Sequence, residues 1–200
     1  MVDLDNLSCI VGHHYGQCLI SHRYQLVFVN IPKNGSQSLK QMFRPKGFVY
    51  DYTSKHDTRG YEYITILRSP MSRFISGYIE SNQRAYPIMK TFNYWTRPES
   101  TDRMLACLEQ IPPKFYDEHL TPQVYFLHEI NINTYLCFDH LEQELAPYLN
   151  IIGVRKILKE NISKLKDKQV ILNNLTTEVF DMIARVYSDD YDLYNRHCCH

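Results

Sequence analysis

The chain carries no net charge and no long apolar run, and these absences narrow what it can be. Its 22 basic residues balance 22 acidic ones, so its global electrostatics do not favour nucleic acid or an anionic membrane as a partner. No segment approaches the roughly 18 uninterrupted apolar residues of a transmembrane helix. The N-terminus is acidic and lacks the basic-then-apolar layout of a signal peptide. We therefore expect a cytoplasmic protein with no membrane anchor and no nucleic-acid partner.

The six cysteines lack the spacing of a disulfide framework or of a zinc site. Cys107 and Cys137 lie in apolar contexts that suit buried free thiols. The last four residues, 197–200, read His-Cys-Cys-His, and an exposed, frayed terminus is a better interpretation of them than a metal site. A reducing compartment and the absence of a bound metal are the resulting expectations.

Length and composition predict one soluble globular domain over residues 1–200. The chain is 44% hydrophobic and 22% charged, which is ordinary for such a domain, and it is long enough for a sizeable core. Residues 81–100 are polar and aromatic, with two prolines and the only tryptophan, Trp95. This composition favours a long excursion over a site, so we predict that residues 81–125 bind an acceptor or form a lid.

The most informative stretch runs from Leu26 to Phe43. It opens with an apolar, β-rich run to Ile31 that predicts a buried central strand, and it ends with apolar residues at helical spacing. Between strand and helix lies a small polar loop, Lys33, Asn34, Gly35, Ser36, Gln37 and Ser38. A strand, a Gly/Ser loop and a helix together present backbone N–H groups and a positive helix end to an anion. The stretch therefore predicts a phosphate or sulfate cradle, to which Lys33 adds a full charge.

A second strand-to-helix junction follows the predicted strand Tyr61 to Leu67. Arg68 comes at the end of that strand, and Ser76 lies two turns into the helix that follows. A guanidinium binds phosphate through bidentate, charge-assisted hydrogen bonds, so this pair predicts a second phosphate site. For Arg73 on the same helix, a structural ion pair and a ligand contact remain equal alternatives. Two anion sites suit a ligand that is phosphorylated at both ends.

Two histidines are candidates for a general base. His56 follows a predicted strand, Phe48 to Tyr52, and open α/β sheets place their chemistry just beyond the carboxyl ends of strands. His119 lies in a polar segment that leads to Gln123, itself a possible active-site contact. A surface position in a turn is an equal alternative for His56, and a structural polar network is a close alternative for His119 and Gln123.

Three segments carry a resemblance to the sulfotransferases that use 3′-phosphoadenosine-5′-phosphosulfate (PAPS). Residues 32–38, Pro-Lys-x-Gly-Ser-x-Ser, resemble their 5′-phosphosulfate loop, and His119 to Gln123 resembles a His-x-x-Pro-Gln segment of carbohydrate sulfotransferases. The resemblance spans about residues 24–194 and is greatest to heparan 2-O- and HNK-1-type enzymes. The residues that match the family's 3′-phosphate signature are Arg68, Pro70, Arg73, Phe74, Ser76 and Tyr78.

The resemblance implies a P-loop-like, three-layer α/β/α fold with a central, mostly parallel sheet of about four to five strands. It implies sulfuryl transfer from PAPS to a hydroxyl or amine of an acceptor, which we expect to be a carbohydrate, without a metal. Lys33 would neutralise the leaving oxygen, and the loop would hold the 5′-phosphate. Arg68 and Ser76 would bind the 3′-phosphate, and His56, or failing that His119, would remove the acceptor's proton.

Two other functions compete with this interpretation. A small-molecule kinase with an altered loop is one, but the chain lacks the G-x-x-x-x-G-K-[ST] spacing and an evident Mg²⁺-binding carboxylate at a strand end. A non-catalytic, nucleotide-binding relative is the other, and only an activity assay separates it from the enzyme.

Overall fold

The computed structural model describes residues 17–84, 101–113, 116–155, 157, 171–172 and 175–199. The chain folds into two compact units, each assembled from separate stretches of sequence. The sheet unit comprises the described residues of 17–69, 123–157 and 192–199. The helical unit comprises the described residues of 70–122 and 171–191.

The sheet unit is built on five strands in the order β3-β1-β2-β4-β5. β1 pairs antiparallel with both β2 and β3, whereas β2 with β4 and β4 with β5 are parallel pairs. All strands except β1 therefore point the same way, which confirms the predicted mostly parallel sheet. Their bounds are β1 Gln17–Ser21, β2 Leu26–Val29, β3 Val49–Tyr52, β4 Glu62–Leu67 and β5 Thr134–Cys137.

Both faces of this sheet are covered by helices, which gives the three predicted layers. Successive strand residues point to opposite faces, so the apolar side chains of the strands form two separate clusters. On one face Leu19, Phe28 and Ile64 pack against helices α1 (Ser36–Phe43) and α5 (Leu141–Ile152). The other cluster joins strand residues to α4 (Gln123–Phe126) and to α7 (Ser188–Cys198); its members include Cys18, Ile20, Val27, Val29, Phe126 and Leu193.

In the helical unit, α2 (Pro70–Arg84), α3 (Thr101–Leu108) and α6 (Thr177–Val186) share one apolar core. The core includes the buried side chains of Phe74, Ile75, Met104, Leu105 and Ile183. The hydroxyl of Thr176 accepts a hydrogen bond from the Val179 amide and caps α6, as expected for a helix that starts near Thr176. Residues 85–100, which include Trp95 and part of the predicted lid, lie outside the described residues.

The prediction for the cysteines was wrong at Cys137, which forms a disulfide with Cys198. The tail is not frayed either, because α7 continues to Cys198 and the His197 ring stacks on Tyr135 with centroids 3.9 Å apart. The two cysteines are 61 residues apart in the sequence, so local sequence pattern could not predict that the end of β5 lies next to the end of α7. Cys18 is a buried thiol that takes no part in the disulfide, and desolvation raises its pKa to about 12.

Candidate active site

The loop between β2 and α1 has an unusual backbone. Lys33 has φ 71° and Gly35 has φ 85°, so two left-handed residues flank Asn34. Such a conformation disfavours a residue with a side chain and is found disproportionately at functional sites. At Gly35 a Cβ would meet the Phe138 ring at 3.5 Å, an ordinary contact. The positive φ, rather than a lack of space, therefore requires glycine here.

The N-terminus of α1 has the features of an anion site. The helix begins at Ser36, and its N-cap is Gly35, which has no side chain that could cap it. The first turn contains no acidic residue. The positive end of the helix dipole therefore meets no carboxylate of its own first turn and would favour an anionic ligand. Gln37 and Ser38 also lie in this first turn, as the cradle prediction requires.

Asn34 is fixed by buried hydrogen bonds rather than exposed to solvent. It is 2% exposed, and its Nδ2 donates to the Ile66 carbonyl and to Gln123 Oε1, both at 2.6 Å. Gln123 Oε1 also accepts from the Arg68 amide at 3.0 Å, and its Nε2 donates to the Arg68 carbonyl at 2.9 Å. The first residue of α4 thus joins the loop to the end of β4.

Arg68 lies against the same loop. Its Nη1 donates to the Lys33 carbonyl at 2.8 Å, and its guanidinium lies 4.6 Å from the centre of the Phe138 ring. The structure therefore brings Lys33, Asn34, Gly35 and Arg68 together within the sheet unit. The assignment of Arg68 to a 3′-phosphate stays a prediction.

His56 belongs to a different cluster. Its Nε2 is 3.4 Å from Asp51 Oδ2, and its Nδ1 is 3.3 Å from His22 Nε2. His22 Nδ1 lies 2.8 Å from the Tyr61 hydroxyl. A hydrogen bond from Lys55 is the main reason that the pKa of Asp51 lies below its usual value. Both ring nitrogens of His56 are thus engaged in a polar chain.

The sheet register gives His56 one partner at each end of β2. Asp51 lies level with Val29, the last residue of β2 before the loop, because both pair with Cys18. His22 follows the residue that pairs with Leu26, at the other end of this strand. The register alone therefore does not separate His56 from the Lys33 loop.

In the helical unit, His119 is held by a carboxylate. Its Nδ1 and its backbone N lie 2.8 and 2.9 Å from Asp117 Oδ1, and its side chain is 10% exposed. Nε2 lies 3.9 Å from Glu118 Oε1. A carboxylate at Nδ1 fixes the orientation of a histidine ring, as in a catalytic triad. The Asp-x-His spacing was the available sequence signal for this pair.

Helix α2 places Ser76 and Arg73 in the same unit. Ser76 is 5% exposed. Arg73 is 1% exposed, and its Nη2 donates to the Glu118 carbonyl at 3.4 Å. This contact is a hydrogen bond to a backbone carbonyl and not an ion pair, so the two alternatives for Arg73 stay predictions. Where the structure describes side chains, no three His, Cys, Asp or Glu residues converge in a group that could hold a metal ion.

Residues 16–195 match the family model described as the Sulfotransferase family. The chain belongs to this family. The match covers most of the chain, so the protein is a transferase that moves a sulfuryl group to an acceptor substrate, and its fold is the family's P-loop-like α/β fold. No curated protein and no solved structure gives a significant match to this sulfotransferase. Among the helices that the structure describes, none is long and apolar enough to cross a membrane.

Proposed function

We propose that this sulfotransferase transfers a sulfuryl group from PAPS to a hydroxyl of a carbohydrate acceptor. One observation carries the proposal: the loop from Lys33 to Gly35 leads with two left-handed residues into a helix whose N-cap is glycine and whose first turn holds no acidic residue. Consecutive amides in such a turn form an anion-binding concavity, which fits the phosphate end of the donor. PAPS, when bound, supplies an activated sulfuryl group on a phosphate leaving group.

Lys33 and the start of α1 would act on the leaving phosphate. The S–O bond to the phosphate breaks as the acceptor oxygen bonds to sulfur, and the bonding electron pair stays on the phosphate oxygen. The Lys33 ammonium and the first-turn amides of α1 stabilise that charge. The hydroxyls of Ser36 and Ser38 are further donors at the same helix end. Such fixed donors need no reorganisation during the reaction.

We assign the general base to His119 rather than His56. His119 already has the carboxylate of Asp117 at Nδ1, so its other nitrogen, Nε2, is the one that would take the acceptor's proton. The contacts of the His56 ring are longer, 3.4 Å to Asp51 and 3.3 Å to His22, so its orientation is fixed less closely than that of His119, with 2.8 Å to Asp117. The carbohydrate acceptor rests on the similarity of His119 to Gln123 to a segment of carbohydrate sulfotransferases. The cytoplasmic location stays a prediction.

Titration calorimetry with 3′,5′-adenosine bisphosphate, the expected product, tests the donor assignment. We expect micromolar affinity without magnesium, weaker binding of ADP, and a loss of about tenfold or more in Lys33→Ala. Lys46→Ala is the matched control, because it removes the same charge from an exposed lysine whose ammonium donates to the Gly153 carbonyl. Preference for ATP with magnesium would contradict the proposal and favour a kinase. Acceptor screening then follows with PAPS and a panel of saccharides.

A further inference from the structure

We infer that Gln123 is a positioning residue that holds the anion-binding loop in its binding conformation by joining Asn34 to Arg68. The inference rests on the proposed function, because it concerns the loop to which we assign the donor phosphate. Gln123 is 0% exposed, so it does not offer its amide to a ligand in this structure. Its role therefore differs from the direct active-site contact that the sequence suggests.

The amide of Gln123 continues the hydrogen bonding of the sheet beyond β4. Arg68 is the first residue after β4, and Gln123 bonds to both its N–H and its C=O. A neighbouring strand makes this same pair of bonds to a strand residue. One side chain therefore fixes the backbone of Arg68 where the strand has ended, and this backbone carries the guanidinium that bonds to the Lys33 carbonyl.

The same amide reaches the loop from a second side. Gln123 Oε1 accepts from Asn34 Nδ2, and Asn34 is the residue between the two left-handed positions. The loop is thus held at Asn34 by its side chain and at Lys33 by its carbonyl, and Gln123 supports both contacts. Left-handed residues persist only where the surroundings over-determine them, and these buried bonds supply that constraint.

Replacement of Gln123 by methionine, which has a similar length and no amide, tests the inference. We expect Gln123→Met to remain folded and to bind 3′,5′-adenosine bisphosphate about tenfold or more weakly in calorimetry. Ser21→Ala is the control: Ser21 is 1% exposed on β1, pairs with Leu26 at the end of β2 opposite the loop, and its hydroxyl accepts from the Tyr24 amide. It also loses the hydrogen bond of a buried polar side chain, so it should lower the melting temperature and leave nucleotide affinity unchanged.

Gln123→Glu provides a second test, a pH dependence of nucleotide affinity that a general loss of stability would not produce. Glutamate keeps one acceptor for Asn34 and the Arg68 amide, but it can donate to the Arg68 carbonyl only when it is protonated. Its affinity relative to that of the wild type, at the same pH, should therefore improve as the pH falls. If Gln123→Met does not fold, this pH comparison decides the question.

A double-mutant cycle completes the test. If Gln123 acts through Asn34, the losses of affinity in Asn34→Ala and Gln123→Met should not add in the double variant. Wild-type affinity in a folded Gln123→Met, or a pH-independent ratio for Gln123→Glu, would overturn the inference while leaving the proposed function intact. Failure of the wild type to bind the bisphosphate would instead overturn the proposed function.

Discussion

At the scale of single residues, Lys33 combines a charge with an unfavourable backbone conformation, and substitutions can separate the two. Lys33→Ala and Lys33→Gly both remove the ammonium, but only glycine adopts φ 71° without steric cost. We expect both variants to lose about 10²–10³-fold in kcat at saturating PAPS, as when an oxyanion donor is removed. Lys33→Gly should be more stable than Lys33→Ala by about 1 kcal/mol, which thermal unfolding measures. Near-normal turnover in Lys33→Ala would show that the lysine does not stabilise the leaving group.

The assignment of the base is also a question about single residues. We expect His119→Ala to lose about 10²–10⁴-fold in kcat, the usual contribution of a general base. Asp117→Asn should lose part of that rate, because an amide at Nδ1 no longer fixes the orientation and tautomer of the ring. His56→Ala serves as the comparison and should keep near-normal turnover. The measurement is kcat of the three variants at saturating PAPS, and a large loss in His56→Ala with near-normal turnover in His119→Ala would make His56 the base.

At the scale of elements, helix α2 packs so closely against the segment before Gln123 that one of its residues must be glycine. A Cβ on Gly77 would overlap the His119 carbonyl oxygen and also approach Leu120 at 3.3 Å. Gly77 is helical, and in an ordinary helix interior Gly→Ala stabilises by roughly 0.5–1 kcal/mol. Here we expect the opposite sign, a destabilisation of about 1–3 kcal/mol from overpacking, because backbone must move. Denaturant unfolding gives the sign directly.

The backbone shift caused by Gly77→Ala should also affect His119, the proposed base. Movement of the His119 backbone alters the 2.8 Å contact between its Nδ1 and Asp117, so Gly77→Ala should also lower kcat. Asn150→Ala is the control: it also introduces an alanine into a helix, but at an exposed position of α5. If Gly77→Ala were stabilised and fully active, the close packing of α2 against His119 would be refuted.

Local sequence pattern predicted the strands and helices of the site but not the contacts between them. Apolar, β-rich runs correctly located the central strand β2, its parallel neighbour β4 and the edge strand β3, and helical spacing after β2 correctly located the loop that contains Lys33. Local pattern could not reveal that a fully buried amide, Gln123, would bond to Arg68 and Asn34, since these partners are 55 and 89 residues away. The bonds of His56 to His22 also arise from tertiary folding, over a separation of 34 residues. The strand, the loop and the helix could be predicted from the sequence, but the contacts that support the loop could not.

At the scale of the whole molecule, the disulfide between Cys137 and Cys198 constrains the unfolded chain. It closes a loop with a sequence separation of 61 residues, which in the chain-entropy model contributes about 4 kcal/mol. A typical domain is stable by only about 5–15 kcal/mol, so this is a large share. We expect the free energy of unfolding to fall by about 2–4 kcal/mol in the double variant Cys137→Ser/Cys198→Ser and in the reduced wild type. Denaturant titration would show this as a lower unfolding midpoint.

The free cysteines provide the controls for that prediction. Cys199 is exposed and adjacent in sequence to the bridge, so Cys199→Ser should leave the unfolding midpoint unchanged. Cys18 is buried with a pKa of about 12, so a thiol reagent at neutral pH should label Cys199 rapidly and Cys18 only after unfolding. Because burial raises the pKa of Cys18, the folded state keeps the thiol protonated while the unfolded state ionises from about pH 9 upward. The free energy of unfolding should therefore fall above that pH.

A reductant should have no effect on the unfolding midpoint of the double serine variant. If it lowered that midpoint as much as it lowers that of the wild type, the Cys137–Cys198 bridge would not be the source of the stabilisation.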